Sequence, residues 1–151
     1  MENLFDEILE KDEKIIKVFK PEKRRYLLSY YWFFMLPIFW PHLILLMLVT
    51  AFTCPYFINR GYKNTYYAYT NKRLIVRSGM FGNSYDSLEY KDITSTSVQV
   101  GFWDTKRKTG SLVFVSPSSH HEHPMKFDYI TEPYKAMNEI KEYMSSLQEK
   151  K

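Results

Sequence analysis

Residues 62–77, YKNTYYAYTNKRLIVR, read as two strands around one tight turn. Tyr62 to Tyr69 is rich in Tyr and Thr, which suit a pleated, half-buried surface. Thr70-Asn71-Lys72 forms the turn, because Asn tolerates positive φ. Lys72 to Arg77 resumes as a strand, with Leu74 and Val76 on one face. Working towards the C-terminus, Ser78-Gly79 and Gly82-Asn83 are further turns. Asp86 to Lys91 and Ile93 to Val100 read as a long interrupted strand. Lys106 to Gly110 is a basic turn, and Ser111 to Ser116 alternates around Leu112 and Phe114. Ser118 to His123 is a polar loop, and Met125, Phe127 and Tyr129 alternate in a last strand. Short strands at such close spacing predict a sandwich or barrel. Thr131 then precedes a helix with Pro133 in its first turn, where a missing N–H costs nothing. Met137, Ile140, Met144 and Leu147 give that helix one apolar stripe.

Working towards the N-terminus, the pattern changes. From Tyr26 through Ile58, YLLSYYWFFMLPIFWPHLILLMLVTAFTCPYFI, no Asp, Glu, Lys or Arg occurs. About 20 such residues suffice to cross the roughly 30 Å hydrocarbon core of a bilayer. The run follows a polar N-terminal segment and no small-residue cleavage pattern follows it, so it is not read as a signal peptide. It predicts a membrane anchor over 26–58. Pro37 and Pro41 flank Ile38, Phe39 and Trp40, and proline breaks a helix. The expectation is a transmembrane hairpin or re-entrant turn breaking near 37–41, with legs of about 21–24 Å. Lys14, Lys17, Lys20, Lys23, Arg24 and Arg25 precede the run, and Arg60, Lys63, Lys72 and Arg73 follow it. Positive flanks stay cytoplasmic, which favours an even number of crossings. The rival is one span from about Leu36 to Ile58 behind an aromatic interfacial segment (Tyr26, Tyr30, Tyr31, Trp32, Trp40). Trp32, Pro37, Trp40, Pro41 and Pro55 mark the anchor in either case. Before it, Glu2 to Lys17 reads as an amphipathic helix built on Leu4, Ile8, Ile15 and Val18, closed by Pro21, which either lies on the bilayer or packs on the β domain or on another copy. The expected division is an N-terminal cytoplasmic segment 1–25, an anchor 26–58 and a β domain 59–151.

Composition narrows the function. The net charge of +4 and pI near 9.0 fit attraction to an anionic leaflet more simply than nucleic-acid binding. The one cysteine, Cys54, allows no intrachain disulfide. His120, His121, Glu122 and His123 resemble a metal cluster, but neighbours on a loop do not converge and no cysteine supports them, so no structural zinc is expected. There is no phosphate-cradling glycine loop, no nucleophile elbow and no defensible carboxylate pair. No catalytic residue, cofactor or metal is assigned.

From Tyr66 onward the chain resembles the bacterial pleckstrin-homology-like (PH-like) domain family, in its membrane-anchored, YdbS/YdbT-like class. Tyr69-Thr70-Asn71-Lys72-Arg73-Leu74-Ile75 followed by Gly79 matches the first hairpin. Lys91-Asp92-Ile93 into Val98-Gln99-Val100-Gly101 matches the middle strand, and Thr109-Gly110-Ser111-Leu112 the next turn and strand. Ile130-Thr131-Glu132-Pro133 matches the start of the final helix. Lys20-Pro21 and the hydrophobic run also resemble the family. Two departures stand out. Arg107-Lys108 replace a common glycine just before Thr109-Gly110, and the hydrophobic run is shorter than usual. The resemblance implies a split antiparallel barrel capped by a C-terminal helix and exposed to the cytoplasm. It carries over no catalytic residues, so a non-enzyme is expected.

Two features could bind. Lys106-Arg107-Lys108, with Phe102 and Trp103 just before it, joins a basic turn to aromatic side chains and is a candidate contact for lipid or partner. Strand edges could add a partner strand. The expected function is a membrane-anchored, non-enzymatic protein-interaction or scaffolding module at the cytoplasmic face of the plasma membrane. Its expected partners are membrane lipids and either another protein or a homo-oligomer. The alternative is an anionic-lipid headgroup sensor.

Overall fold

The computed structural model describes residues 5, 8–34, 55–79, 82–117 and 124–149. Ile15–Phe19 is a strand, β1, followed by a helix, α1, at Lys23–Phe34. Residues 55–64 are helical, α2. Then come β2 (Tyr66–Thr70), β3 (Arg73–Ser78), β4 (Ser84–Glu89), a single 3-10 turn at Tyr90–Asp92, and β5 (Ser95–Gln99). A short helix α3 (Phe102–Thr105), β6 (Thr109–Val115), β7 (Met125–Thr131) and helix α4 (Pro133–Glu149) complete the order. The strands form two antiparallel sheets, β1-β2-β3-β4 and β5-β6-β7.

The principal core lies between these sheets and α4. Tyr67, Leu74, Val76 and Leu88 come from the first sheet, and Leu112, Phe114, Phe127 and Ile130 from the second. Ala136, Met137 and Ile140 close it from the helix. The helix begins as its sequence dictates: Pro133 occupies the first turn, and the Ala136 N–H donates to the Glu132 carbonyl at 3.1 Å. Tyr67 stacks on Phe127 at 4.9 Å between ring centroids, joining the sheets across the core.

The first sheet is covered on its second face as well. Phe5, Ala68 and Ile75 form a small fully buried cluster, with Ile8, Leu9, Ile15 and Val18 against it. This corrects the helical reading for the described part of Glu2–Lys17, with residues 2–4, 6 and 7 outside the described residues, and agrees with the expectation that the segment packs on the β domain. Ile15-Ile16-Lys17-Val18-Phe19 is a β-branched run that pairs with β2, from Ile15 opposite Thr70 to Phe19 opposite Tyr67. The N-terminal segment belongs to the sheet.

The expected transmembrane hairpin is overturned. Among the described residues no helix is long and apolar enough to cross a membrane. The two ends of the uncharged run are instead held against the β domain. Tyr26, buried in α1, sits edge-on to Tyr62 of α2 at 5.6 Å and to Tyr129 of β7 at 6.2 Å. Ile58 is buried, and Gly61 lets the helices approach: a Cβ there would lie 3.1 Å from the Tyr26 hydroxyl. Tyr62, assigned to a strand by its composition, is therefore helical. Of the residues marking the anchor, Trp32 falls in α1 and Pro55 in α2, while Pro37, Trp40 and Pro41 lie outside the described residues. The histidine cluster His120, His121 and His123 lies outside them too.

Candidate functional site

The corner carrying the candidate contact residues is built around one buried carboxylate. Asp104 is the third residue of α3, and its Oδ2 accepts the Gly101 N–H at 3.2 Å, so the side chain folds back over the turn. A side chain at position 101 would collide with it, because a Cβ there falls 2.9 Å from Oδ2. Thr109 Oγ1 donates to Asp104 Oδ1 at 3.2 Å, and Arg25 of α1 forms a short ion pair with the same carboxylate. Burial pushes the Asp104 carboxyl up, but the bonds from Arg25, Gly101 and Thr109 outweigh it and hold the group below its ordinary value. The Arg25 guanidinium also lies over the Tyr129 ring at 5.1 Å.

Tyr129 is the second fastening point. It adopts φ 59° at a register shift in β7, a strained conformation for a bulky residue. That turn offers its carbonyl to the Glu22 N–H at 2.7 Å and its hydroxyl to Ser29 Oγ at 2.8 Å. The first turn of α1 is thereby clamped between β7 and α3.

With Asp104 turned inward, its neighbours turn outward. Phe102 is 74% exposed and Trp103 58% exposed, their rings edge-to-face at 5.6 Å. Lys106 Nζ stands over both rings, 5.6 Å from Phe102 and 5.7 Å from Trp103. Arg107 reaches Glu22 at 3.9 Å. Lys108 holds φ 53° and its carbonyl accepts the Glu132 N–H at 2.9 Å. The five candidate residues, Phe102, Trp103, Lys106, Arg107 and Lys108, thus share one exposed corner. Trp103 is not a core residue. Sequence reasoning missed the pairing of Asp104 with Arg25, because the contact spans a separation of 79 positions.

Two other places bear on binding. A cleft of about 540 Å3 beside the first hairpin is lined by Lys72, Arg73 and Lys91, with Tyr90 and Met144. Each of its cations already faces a carboxylate. Lys72 pairs with Glu10 at 3.0 Å, Arg73 with Glu13 at 2.9 Å and Lys91 with Glu89 at 2.7 Å. Glu13 is buried and also accepts from Thr70 Oγ1 at 2.7 Å and from the Glu10 N–H at 2.9 Å. Burial raises its pKa, and these donors with Arg73 pull it net below the usual glutamate value. The other place is the edge strand β5. Among the described residues it pairs only with β6, and a groove of about 280 Å3 runs between it and α4, lined by Ile93, Ser95, Thr96, Lys141, Met144 and Ser145.

Two antiparallel sheets closed by a C-terminal helix over a shared core define a PH-like domain. The bacterial PH domain family model matches residues 25–145, and the chain belongs to that family. Two solved structures share the fold. One is a DUF1696 family protein with a pleckstrin-homology domain from Shewanella loihica PV-4, 14% identical, with a TM-score of 0.51 over 94% of this chain and 91% of that one. The other is a pleckstrin homology domain from Shewanella amazonensis SB2B, 17% identical, with a TM-score of 0.51 over 93% of this chain and 82% of that one. No curated protein sequence gives a match.

Proposed function

We propose that this protein is a non-enzymatic interaction module at the cytoplasmic face of the plasma membrane, binding another protein or a second copy of itself through the edge of β5. The observation that carries this reading is the β5 edge beside α4, which no strand pairs among the described residues. Ser95, Ser97 and Gln99 are exposed along it, and the adjoining groove offers Met144 and Ile93 as apolar lining and Lys141 as a cation. An extended partner segment can take main-chain hydrogen bonds from such an edge and seat alternate side chains in the groove. Residence at the membrane is supported by the basic balance of the chain, a net charge of +4, which favours an anionic leaflet. The headgroup-sensor alternative is weaker, because the cations of the hairpin cleft are neutralised by the chain's own carboxylates. A multivalent phosphate would have to displace all three.

The test is a photo-crosslinking residue at Ser97, compared with one at exposed Asp86 on β4, in native membranes. Discrete adducts from Ser97 and none from Asp86 are expected, and Lys141→Glu should diminish them. No adduct at Ser97, or equal adducts at both positions, would remove the β5 edge from consideration.

A further inference from the structure

The fold brings together two basic triplets that the sequence keeps far apart. Lys23-Arg24-Arg25 opens α1, and Lys106-Arg107-Lys108 follows α3. The Arg25–Asp104 pair and the Arg107–Glu22 pair fasten one to the other. Arg25 is consumed by this fastening, and Glu22 is shared among Arg107 and the N–H groups of Arg24 and Arg25. Lys23, Arg24, Lys106 and Lys108 are exposed and make no ion pair among the described residues. Beside them project Phe102 and Trp103, the most exposed aromatic pair of neighbours in α3.

We propose that this composite corner rests on the interfacial layer of an anionic bilayer, with Phe102 and Trp103 inserted at headgroup depth and the lysines and arginines around them. Three observations favour a lipid surface over other occupants. Amphipathic rings gather at that depth, and a Trp with a cation over its face suits a boundary that is apolar below and anionic above. Of these cations Lys106 stands over both rings and Lys108 lines a cleft with Glu132 and Lys135, so the charge is spread along the corner, which fits a diffuse anionic plane. Lys108 keeps a charged side chain at φ 53°, where glycine is conformationally cheaper. The same clamp ties the corner to α1, which carries the first residues of the uncharged stretch. This surface is separate from the β5 edge, so either reading can fail without the other.

The full chain reports on the corner directly. Trp32→Phe with Trp40→Phe leaves Trp103 as the sole tryptophan, since the chain has three. Its emission is recorded with vesicles of phosphatidylcholine, with and without phosphatidylglycerol, carrying brominated acyl chains as a contact quencher. Quenching on the anionic vesicles is expected. Changing Lys23, Arg24, Lys106 and Lys108 to Gln should reduce the docked population about fivefold per charge removed. High salt should act in the same direction. Phe102→Ser, which keeps every charge, should reduce quenching as well. Absence of quenching on anionic vesicles would overturn the proposal. So would quenching of equal strength on neutral vesicles or in the four-charge variant. Shielding of Trp103 in native membranes but not on protein-free vesicles would overturn it too, and would make the corner a protein contact.

Discussion

Asp104 and Glu13 are both acids taken from water and repaid with a guanidinium and further donors. For such a group, losing the cation costs more than losing the pair, because the carboxylate stays behind unpaired. Arg25→Met is therefore expected to lower unfolding stability by about 3 kcal/mol in urea titration. Arg25→Met combined with Asp104→Leu should recover much of that loss. A single variant as stable as the parent would mean that water already screens the pair. The same two acids set a pH dependence. Their folded pKa values lie below the ordinary 3.8 and 4.5, so their stabilisation is full above those values and is lost as pH falls through the depressed ones. The melting temperature should fall on acidification below about pH 4.5, and Glu13→Gln should flatten that slope while lowering stability at neutral pH. Lys108 is the opposite kind of residue, one whose backbone is held at a cost. Lys108→Gly should relieve a left-handed backbone cost of about 1–2 kcal/mol, partly offset by glycine's freer unfolded chain, for a small net rise in melting temperature, and a fall would show that its side chain packs more than its exposure indicates.

Among the elements, α4 was the most legible and α2 the least. A 3-4-3 apolar spacing behind a proline admits one reading, and Met137 and Ile140 sit in the core as that spacing requires. Met137→Asp or Ile140→Asp should each unfold the domain, since either buries an unpaired charge. Circular dichroism of the purified chain decides this, and a parent-like melt would remove α4 from the core. The first hairpin was legible too in the place of its turn and in the β-branched residues of its second arm, although Asn71 serves the turn by bonding to the Lys14 N–H and the Asp12 carbonyl and not by a positive φ. The rest failed for specific physical reasons. Tyr62 carries a strand composition but lies in a helix, where it and Gly61 pack against Tyr26 of α1. Ile15 and Val18 fit helical spacing equally well, and only pairing with β2 decides for a strand. Asp86 to Val100 reads as one interrupted strand, but the turn at Tyr90–Asp92 sends its two halves to different sheets. The candidate corner was legible in its exposed residues and illegible in its support, because Asp104 meets Arg25 only in three dimensions.

At the scale of the whole molecule, the chain before the uncharged stretch and the chain after it make one structure. Phe5 is wholly buried on the outer face of the first sheet, and β1 supplies that sheet's edge. Removing residues 1–20 should therefore uncover Ala68 and Ile75 and cost at least the burial of one large aromatic, about 3 kcal/mol or more. Hydrogen exchange of β2 amides measures this, and unchanged protection would show that the edge strand is dispensable. The order of the strands also has a consequence in time. During synthesis β1 leaves the ribosome before the apolar stretch, and its partner β2 only after it. At about 5–20 residues per second, roughly 2 to 10 seconds separate the two. For that interval Ile15–Phe19 has nothing to pair with, and the most hydrophobic part of the chain is emerging behind it. The sheet is zipped shut across that stretch only when Tyr66–Thr70 appears. The β domain can therefore close only after the whole apolar stretch has been made.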